Sequence, residues 1–368
     1  MNSLCLRICL ASLMLTLTTS QAAAEDEFRP LLNGQDLSGW VLVNTPPQTW
    51  SMQDGMLVCT GKPIGEIRTE RMYQNFILEV EWRHMVPGGN AGIFVWADDI
   101  TAKGVPFHRS IEVQVLENAY GQSPGHTTHG DIFPIHGATM TPINGRGGSR
   151  AFPTEERSKP SPEWNHYRIE CNDGAIRLSV NGKLVTQGTN CSPRKGYLCL
   201  ESEGGVVHYR NLKIRELPET PIAPEQIAIA NRGYRSLYNG LDLTGWTGTA
   251  RGLSHWKSND WVLAFDGQVT AEEAGLEASE TVNDRGFLFD IRPGKDFRAL
   301  SVLGETLKAE TLKPGTWHRV EASVQTGKLT LQVNGEIVAQ NRPVTDPKLL
   351  FRPDGPVEFA NLYVRDLK

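Results

Sequence analysis

The sequence predicts an all-β chain made of two β-sandwiches in tandem, the second a shortened copy of the first. Three observations predict it. Leu32-Asn33-Gly34-Gln35-Asp36-Leu37-Ser38-Gly39-Trp40 returns as Tyr238-Asn239-Gly240-Leu241-Asp242-Leu243-Thr244-Gly245-Trp246, and Trp50 with Asp54 returns as Trp256 with Asp260, all 206 residues later. Trp164 and Asn181-Gly182 then return as Trp317 and Asn334-Gly335 after only 153 residues, so the first copy holds 53 residues that the second lacks. Between these landmarks run many short stretches of alternating apolar and polar residues punctuated by Gly, Pro, Asn and Asp, and no long amphipathic helix, which favours sandwiches with jelly-roll connections.

Taken in order, residues 1–24 read as a signal peptide: Arg7, an apolar run from Ile8 to Leu17 too short to span a bilayer, and Ala22-Ala23-Ala24 as a cleavage site. The mature protein is therefore expected to be exported, periplasmic or extracellular, with no membrane insertion after cleavage. Residues 25–218 form the first sandwich. Within it Phe76 to Arg83 alternates apolar even positions with mostly charged odd ones, the period of a half-buried strand. Arg168–Cys171 and Ile176–Val180 alternate too, and Asn172-Asp173-Gly174 between them is hairpin chemistry. Residues 219–233, rich in proline, read as a linker, and 234–368 as the shortened repeat. That repeat keeps Trp246, Trp256 and Trp317, enough for a core of its own, but not the unusual chemistry, so the first copy alone should carry any activity.

A formal charge of −5 over 368 residues, without a basic run, argues against nucleic acid as a partner. Cys59, Cys171, Cys191 and Cys199 remain after export; they are read as buried or paired structural residues, with the three pairings open.

The extra residues of the first copy lie within a loop-rich segment, roughly 84 to 160. There Ser110-Ile111-Glu112-Val113-Gln114-Val115-Leu116-Glu117 places Ile111, Val113 and Val115 on one strand face and Glu112 with Gln114 on the other, about 7 Å apart. Glu117 shares the parity of the buried set and joins Glu112 only across a bulge. The plain alternative is an outward, solvated face. Around this strand cluster His108, Arg109, His126, His129, Asp131, His136 and Arg150, with Trp96, Phe107, Phe133 and Phe152 as candidate groove-lining aromatics. No resident cofactor is expected. A divalent metal is compatible with His126, His129 and Asp131, but their spacing in a loop is weak evidence and no metal ligand is assigned.

At these residues the chain resembles the 3-keto-disaccharide hydrolase family, long catalogued as a bacterial domain of unknown function. The resemblance rests on Leu32-Asn33-Gly34 through Gly39-Trp40, Asn90-Ala91-Gly92-Ile93-Phe94, Glu112-Val113-Gln114-Val115-Leu116, Trp164-Asn165, Val180-Asn181-Gly182 and Tyr209-Arg210-Asn211-Leu212-Lys213-Ile214. It covers essentially the whole first copy. The second copy has no counterpart of Glu112-Val113-Gln114, and Leu200-Glu201-Ser202-Glu203-Gly204 stands where many relatives have a Gln and a His-Gly pair.

The resemblance implies a concanavalin A-like sandwich and an exported hydrolase or lyase that cleaves 3-keto-glycosides by C2 deprotonation, loss of the C1 leaving group and hydration. On that reading Glu112, His129 and Asp131 are the catalytic candidates, and Gln114, Arg109, Arg150, Trp96 and Glu117 bind a carbohydrate substrate. Two other classes stay open: a non-catalytic carbohydrate-binding or adhesive module, and a laminarinase-like retaining glucanase built on Glu112 and Glu117.

Overall fold

The computed structural model describes residues 27–230, 232–344 and 346–367, and every ladder between its strands is antiparallel. The signal-peptide reading of residues 1–24 lies outside the described residues. Strand dominates because the alternating segments pair. Among the described residues the only α-helix is the single turn Ala250–Leu253, and no helix is long and apolar enough to cross a membrane.

Four sheets form. A nine-stranded sheet runs in the order Thr139–Pro142, Lys183–Ser192, Ala175–Val180, Asn165–Asn172, Phe76–His84, Val207–Glu216, Met56–Cys59, Trp50–Gln53, with Arg29–Pro30 also on Val207–Glu216. Facing it is a six-stranded sheet of β1 (Trp40–Val43), β2 (Gly65–Thr69), β3 (Gly92–Ala97), β4 (Ser110–Val115), β5 (His129–Ile135) and β6 (Tyr197–Ser202), in spatial order β1-β2-β6-β3-β4-β5. Ile67, Ile93, Ile111, Val113 and Val115 from the smaller sheet meet Phe76, Leu78, Val80, Trp82 and Tyr167 from the larger in one buried cluster. Burying each such side chain stabilises the fold by about 1.5–3 kcal/mol. The remaining residues build an eight-stranded and a five-stranded sheet around a separate core that includes Trp246, Trp256, Phe289, Phe351 and Phe359.

The segment expected to be mostly loop supplies β3, β4, β5 and Thr139–Pro142, so half of the six-stranded sheet comes from it. Cys59, Cys171, Cys191 and Cys199 are free and buried, and none of the three pairings among them forms.

The repeated opening motif has a local cause. Asn33 Oδ1 accepts from the backbone N–H of Gln35 (2.8 Å) and Asp36 (2.9 Å), while Asp36 Oδ1 accepts from Ser38 N (2.9 Å). Asn239 does the same for Leu241 and Asp242 at 2.8 and 3.0 Å, and Asp242 accepts from Thr244 N at 2.9 Å. Short Asx side chains replace backbone acceptors in a turn that must deliver Trp40 or Trp246 into its strand.

The stretch 219–233 is tied down along the first half. Ile229 N donates to Asp98 Oδ1 (2.8 Å), Arg232 N and Nε donate to Asp99 (3.0 and 2.8 Å), and Arg194 N donates to Gln226 O (2.8 Å). Beyond it, the eight-stranded sheet grips the loop between β3 and β4. Asp290, fully buried, accepts from Gly104 N (2.8 Å), Asn361 Nδ2 (2.7 Å) and Arg319 Nε (2.8 Å). Asn361 Nδ2 also donates to the carbonyls of Ala102 (2.9 Å) and Val105 (3.1 Å), and Arg319 Nη2 to that of Thr101 (3.0 Å). Gly104 is required twice over: its φ is +75°, and a Cβ there would lie 2.4 Å from the Trp317 ring. The second half is thus bonded to the loop that leads into β4.

Candidate active site on the six-stranded sheet

The six-stranded sheet has two unlike faces because its side chains alternate. One face is the apolar core. The other carries Glu66 and Arg68 from β2, Cys199 and Glu201 from β6, Gly92 and Phe94 from β3, Glu112 and Gln114 from β4, and Asp131 and Phe133 from β5. Register fixes their neighbours: Glu201 lies opposite Glu66, Cys199 opposite Phe94, Phe94 opposite Glu112, Gly92 opposite Gln114, and Glu112 opposite Phe133.

This face is enclosed, not solvated. Glu112 is 7% exposed and Gln114 6%. Phe107, from the gripped loop, packs edge-on against Phe94 with centroids 5.8 Å apart, and Arg150 reaches in from the following loop with its guanidinium 3.4 Å over the Phe133 ring. A hydrogen-bonded chain crosses the face. Arg150 Nη1 donates to Gln114 Oε1 (3.5 Å), Gln114 Nε2 to Asn90 Oδ1 (3.2 Å), and Asn90 Nδ2 to Glu203. Tyr167 OH steadies β4 by donating to Gln114 O at 2.9 Å.

Three carboxyl groups converge here. A Cβ on Gly92 would sit 2.9 Å from Glu201 Oε2 and 3.0 Å from Glu112 Oε1, so the two oxygens lie within about 6 Å of each other and only glycine leaves them room. Burial, then the neighbouring Glu203 carboxylate, pushes Glu112 up to about 8, with Arg150 opposing. Burial and the carboxylates of Glu112, Glu203 and Glu66 push Glu201 well up, and burial also raises Glu203.

The remaining candidates from the sequence have other partners. Asp131 is in the group but fully engaged: Arg150 Nη1 (3.0 Å), Thr127 N (3.0 Å) and Thr127 Oγ1 all donate to it. It holds Arg150 in place. His129 lies opposite Val115, on the core side of the sheet; its ring bonds Ser158 Oγ (2.7 Å) and the backbone of Arg157 and Ser158 (3.2 Å each), and burial pushes its pKa down to about 4. The structure does not bring it to Glu112. Arg109 is spent on Asp98, bonded through Nε and Nη2 at 3.0 Å each.

Trp96 does not reach this face to bind substrate. A bulge between its strand and β6, with Trp96 at φ +57°, turns the indole into the core, where Nε1 donates to Gln74 O at 2.8 Å. Phe152 is buried under Arg146. His126 bonds Ser123 Oγ (2.7 Å), and His136 stacks on Phe107.

Glu117 does not join Glu112 either. Its carboxylate accepts from the backbone N–H of Gly88 (2.7 Å), Ala119 (2.7 Å) and Ser161 (2.9 Å), fastening three loops. Although burial alone would raise its pKa, those three donors hold it below the usual carboxylate range. Glu117→Gln replaces one acceptor oxygen of these part-buried, charge-assisted bonds by a donor, so thermal denaturation should show a loss of about 1–3 kcal/mol. Catalytic activity per folded molecule should stay within a few-fold of wild type, whereas a glucanase nucleophile or acid at this position would lose nearly all of it.

Glu66, Glu201, Glu203 and Asn90 join this face of the sheet, although the strand pattern alone does not single them out. Glu201 and Glu203 flank Ser202 at the end of the apolar run Tyr197–Leu200, a visible polar interruption; nothing local marks Glu66 as their neighbour. Glu66 also meets His108 and Cys199. His108 Nδ1 is 2.5 Å from Glu66 Oε2 and 3.8 Å from Cys199 Sγ, and one ligand atom from each residue lies within 4.8 Å of the others. That donor set is able to coordinate a divalent metal, at a place distinct from the His126, His129 and Asp131 loop.

An all-β sandwich with a buried carboxylate group of this kind falls among carbohydrate-active proteins by its sequence relatives. Residues 27–215 match the family described as the 3-keto-alpha-glucoside-1,2-lyase-like domain, and the chain belongs to that family. A 3-keto-disaccharide hydrolase of Bacteroides thetaiotaomicron is 26% identical over 177 residues, which cover 44% of this chain and 58% of that protein, so the chain spans less than two thirds of that relative. Two candidate glycosyl hydrolases of Parabacteroides distasonis, both solved structures, superpose with TM-scores of 0.41 and 0.39 at 21% and 23% identity. They cover 55% and 52% of this chain and 99% and 100% of their own lengths.

Proposed function

We propose that the protein cleaves glycosides whose C3 hydroxyl has been oxidised to a ketone, using the carboxyl group of Glu112 as the base. The observation that carries this reading is Glu112 itself: a buried carboxyl group raised to about 8, beside amide donors and a fixed guanidinium. A C3 ketone acidifies the C2 hydrogen. Glu112 takes that proton, Arg150 and the Gln114 amide stabilise the oxygen that gains charge, the C1–O bond breaks, and the leaving oxygen is protonated by Glu203, the least enclosed of the three carboxyls. Water then adds across the C1–C2 double bond and restores the sugar.

On the same reading the chain is exported, and its sandwiches are duplicated concanavalin-like jelly rolls, residues 25–218 and 234–368, of which only the first holds catalytic groups. The Glu112 and Glu201 oxygens, within about 6 Å of each other, leave room for the ~5–5.5 Å of retaining glycosidase carboxyl pairs, which favours as a second reading hydrolysis of an unmodified glycoside.

Incubating the purified protein with 3-keto and unmodified forms of several disaccharides separates these readings. Monosaccharide released from the 3-keto form alone supports the proposal; release from unmodified sugar supports the second, and binding without release a lectin-like module. The pH profile follows from the same group. A base must be deprotonated and an acid protonated to act, so kcat/KM on a 3-keto substrate should rise with pH as Glu112 loses its proton, up to about 8, and fall again where Glu203 loses the proton it donates. A profile with no rising limb would remove Glu112 as the base. Because the three carboxyls interact, the apparent value belongs to the group as a whole.

A further inference from the structure

We propose that Glu66, His108 and Cys199 form a binding site for a thiophilic divalent metal of the zinc class, adjacent to the carboxyl group of the candidate active site and independent of what that site cleaves. The three side chains come from three places, β2, the end of the gripped loop and β6, and each is completely buried. Such a set is costly to enclose without a cation, because a carboxylate and a potential thiolate leave water together.

The geometry suits a tetrahedral ion. Bonds of about 2.0–2.3 Å put tetrahedral ligand atoms about 3.3–3.6 Å apart. Cys199 Sγ and His108 Nδ1 are already 3.8 Å apart, and the 2.5 Å contact between His108 Nδ1 and Glu66 Oε2 needs to open by about an ångström. The donors select the metal: imidazole with thiolate suits zinc, cobalt or copper and disfavours magnesium and calcium, which prefer oxygen.

A second observation points the same way. Glu201, directly opposite Glu66 in register and 2% exposed, has one carboxylate oxygen, Oε2, with no hydrogen-bond partner among the described residues. Nearby cations are already committed: Arg68 to the carbonyls of Asp99 and Thr69, with its guanidinium over Tyr197, and Arg150 to Asp131. A divalent ion held by Glu66, Cys199 and the neutral His108 balances two negative charges and adds a positive centre to the sheet face that carries Glu201. On uptake the thiol proton of Cys199 leaves to solvent as the sulfur–metal bond forms. The imidazole proton moves from Nδ1 to Nε2, which has no partner of its own.

Cobalt(II) added to the chelator-treated full chain under anaerobic conditions tests this without reference to activity. One equivalent should bind with release of one proton and a near-ultraviolet thiolate-to-cobalt charge-transfer band, which zinc then abolishes. Cys199→Ser should lose the band, and His108→Asn should weaken binding at least ~10-fold, both with wild-type circular dichroism. Should either variant unfold, the wild-type chain decides the matter: X-ray absorption of the zinc-loaded protein should show one sulfur ligand at about 2.3 Å with nitrogen and oxygen ligands at about 2.0–2.2 Å. Absence of the band, binding of less than one equivalent, an unchanged band in Cys199→Ser, or a metal shell without sulfur overturns the proposal.

Discussion

Glu112→Gln is expected to lower turnover of a 3-keto-glycoside by about 10²–10⁴-fold, the usual contribution of a positioned general base, without lowering thermal stability. Both halves of that statement come from burial. The amide fills the same space between Phe94 and Phe133 but cannot take a proton, so the chemical step is lost. The stability effect has a definite sign. Folding raises this carboxyl from 4.5 to about 8, so the fold favours the protonated form. Its contribution is complete below pH ~4.5 and is lost as pH rises through about 8. A neutral glutamine escapes that loss, so the variant's melting temperature should match wild type near pH 4.5 and exceed it at pH 8. A variant that melts lower at every pH would show that Glu112 serves packing.

The second large effect is expected far from that carboxyl group. Asp290→Ala should destabilise the chain by about 3–5 kcal/mol, because it strands Arg319 beside a buried, unpaired position and frees Asn361 and Gly104 N. It should also reduce activity by about 10-fold or more. The loop it releases runs from Thr101 to His108 and delivers Phe107 onto Phe94 and His108 onto Glu66, the cross-strand neighbour of Glu201. Activity measured per folded molecule, with Asp290→Asn as the milder variant, checks this. Full activity in a folded Asp290→Ala protein would restore the simpler expectation that the first copy works alone.

That expectation shows where the sequence is legible. Alternation in Phe76 to Arg83 and in Ser110 to Val115 assigns faces correctly, since Phe76, Leu78, Val80, Trp82, Ile111, Val113 and Val115 all enter the first core. It also pairs Glu112 with Gln114. Alternation cannot say whether a polar face is wet, and here Phe107 and Arg150 from flanking loops close over it. Trp96 departs from the pattern because a one-residue bulge reverses parity, and His129 because a register shift between Val113 and Val115 sets it opposite a core residue. That Glu66 meets Glu201 and Glu203 is invisible to local reading because strand order is non-local: β2 and β6 are neighbours in the sheet although more than a hundred residues separate them in the chain. The grip of Asp290, Asn361 and Arg319 on the loop has the same character, for it joins backbone to side chains across the two halves of the chain.

The most direct test of the central claim follows the C2 proton itself. A 3-keto-glucoside mixed with the protein in deuterated buffer, observed by proton NMR, should lose its C2 resonance as the leaving sugar is released, with both changes absent in Glu112→Gln. Cleavage that leaves the C2 proton in place, or that proceeds equally well in Glu112→Gln, would contradict the assignment of Glu112 as the base.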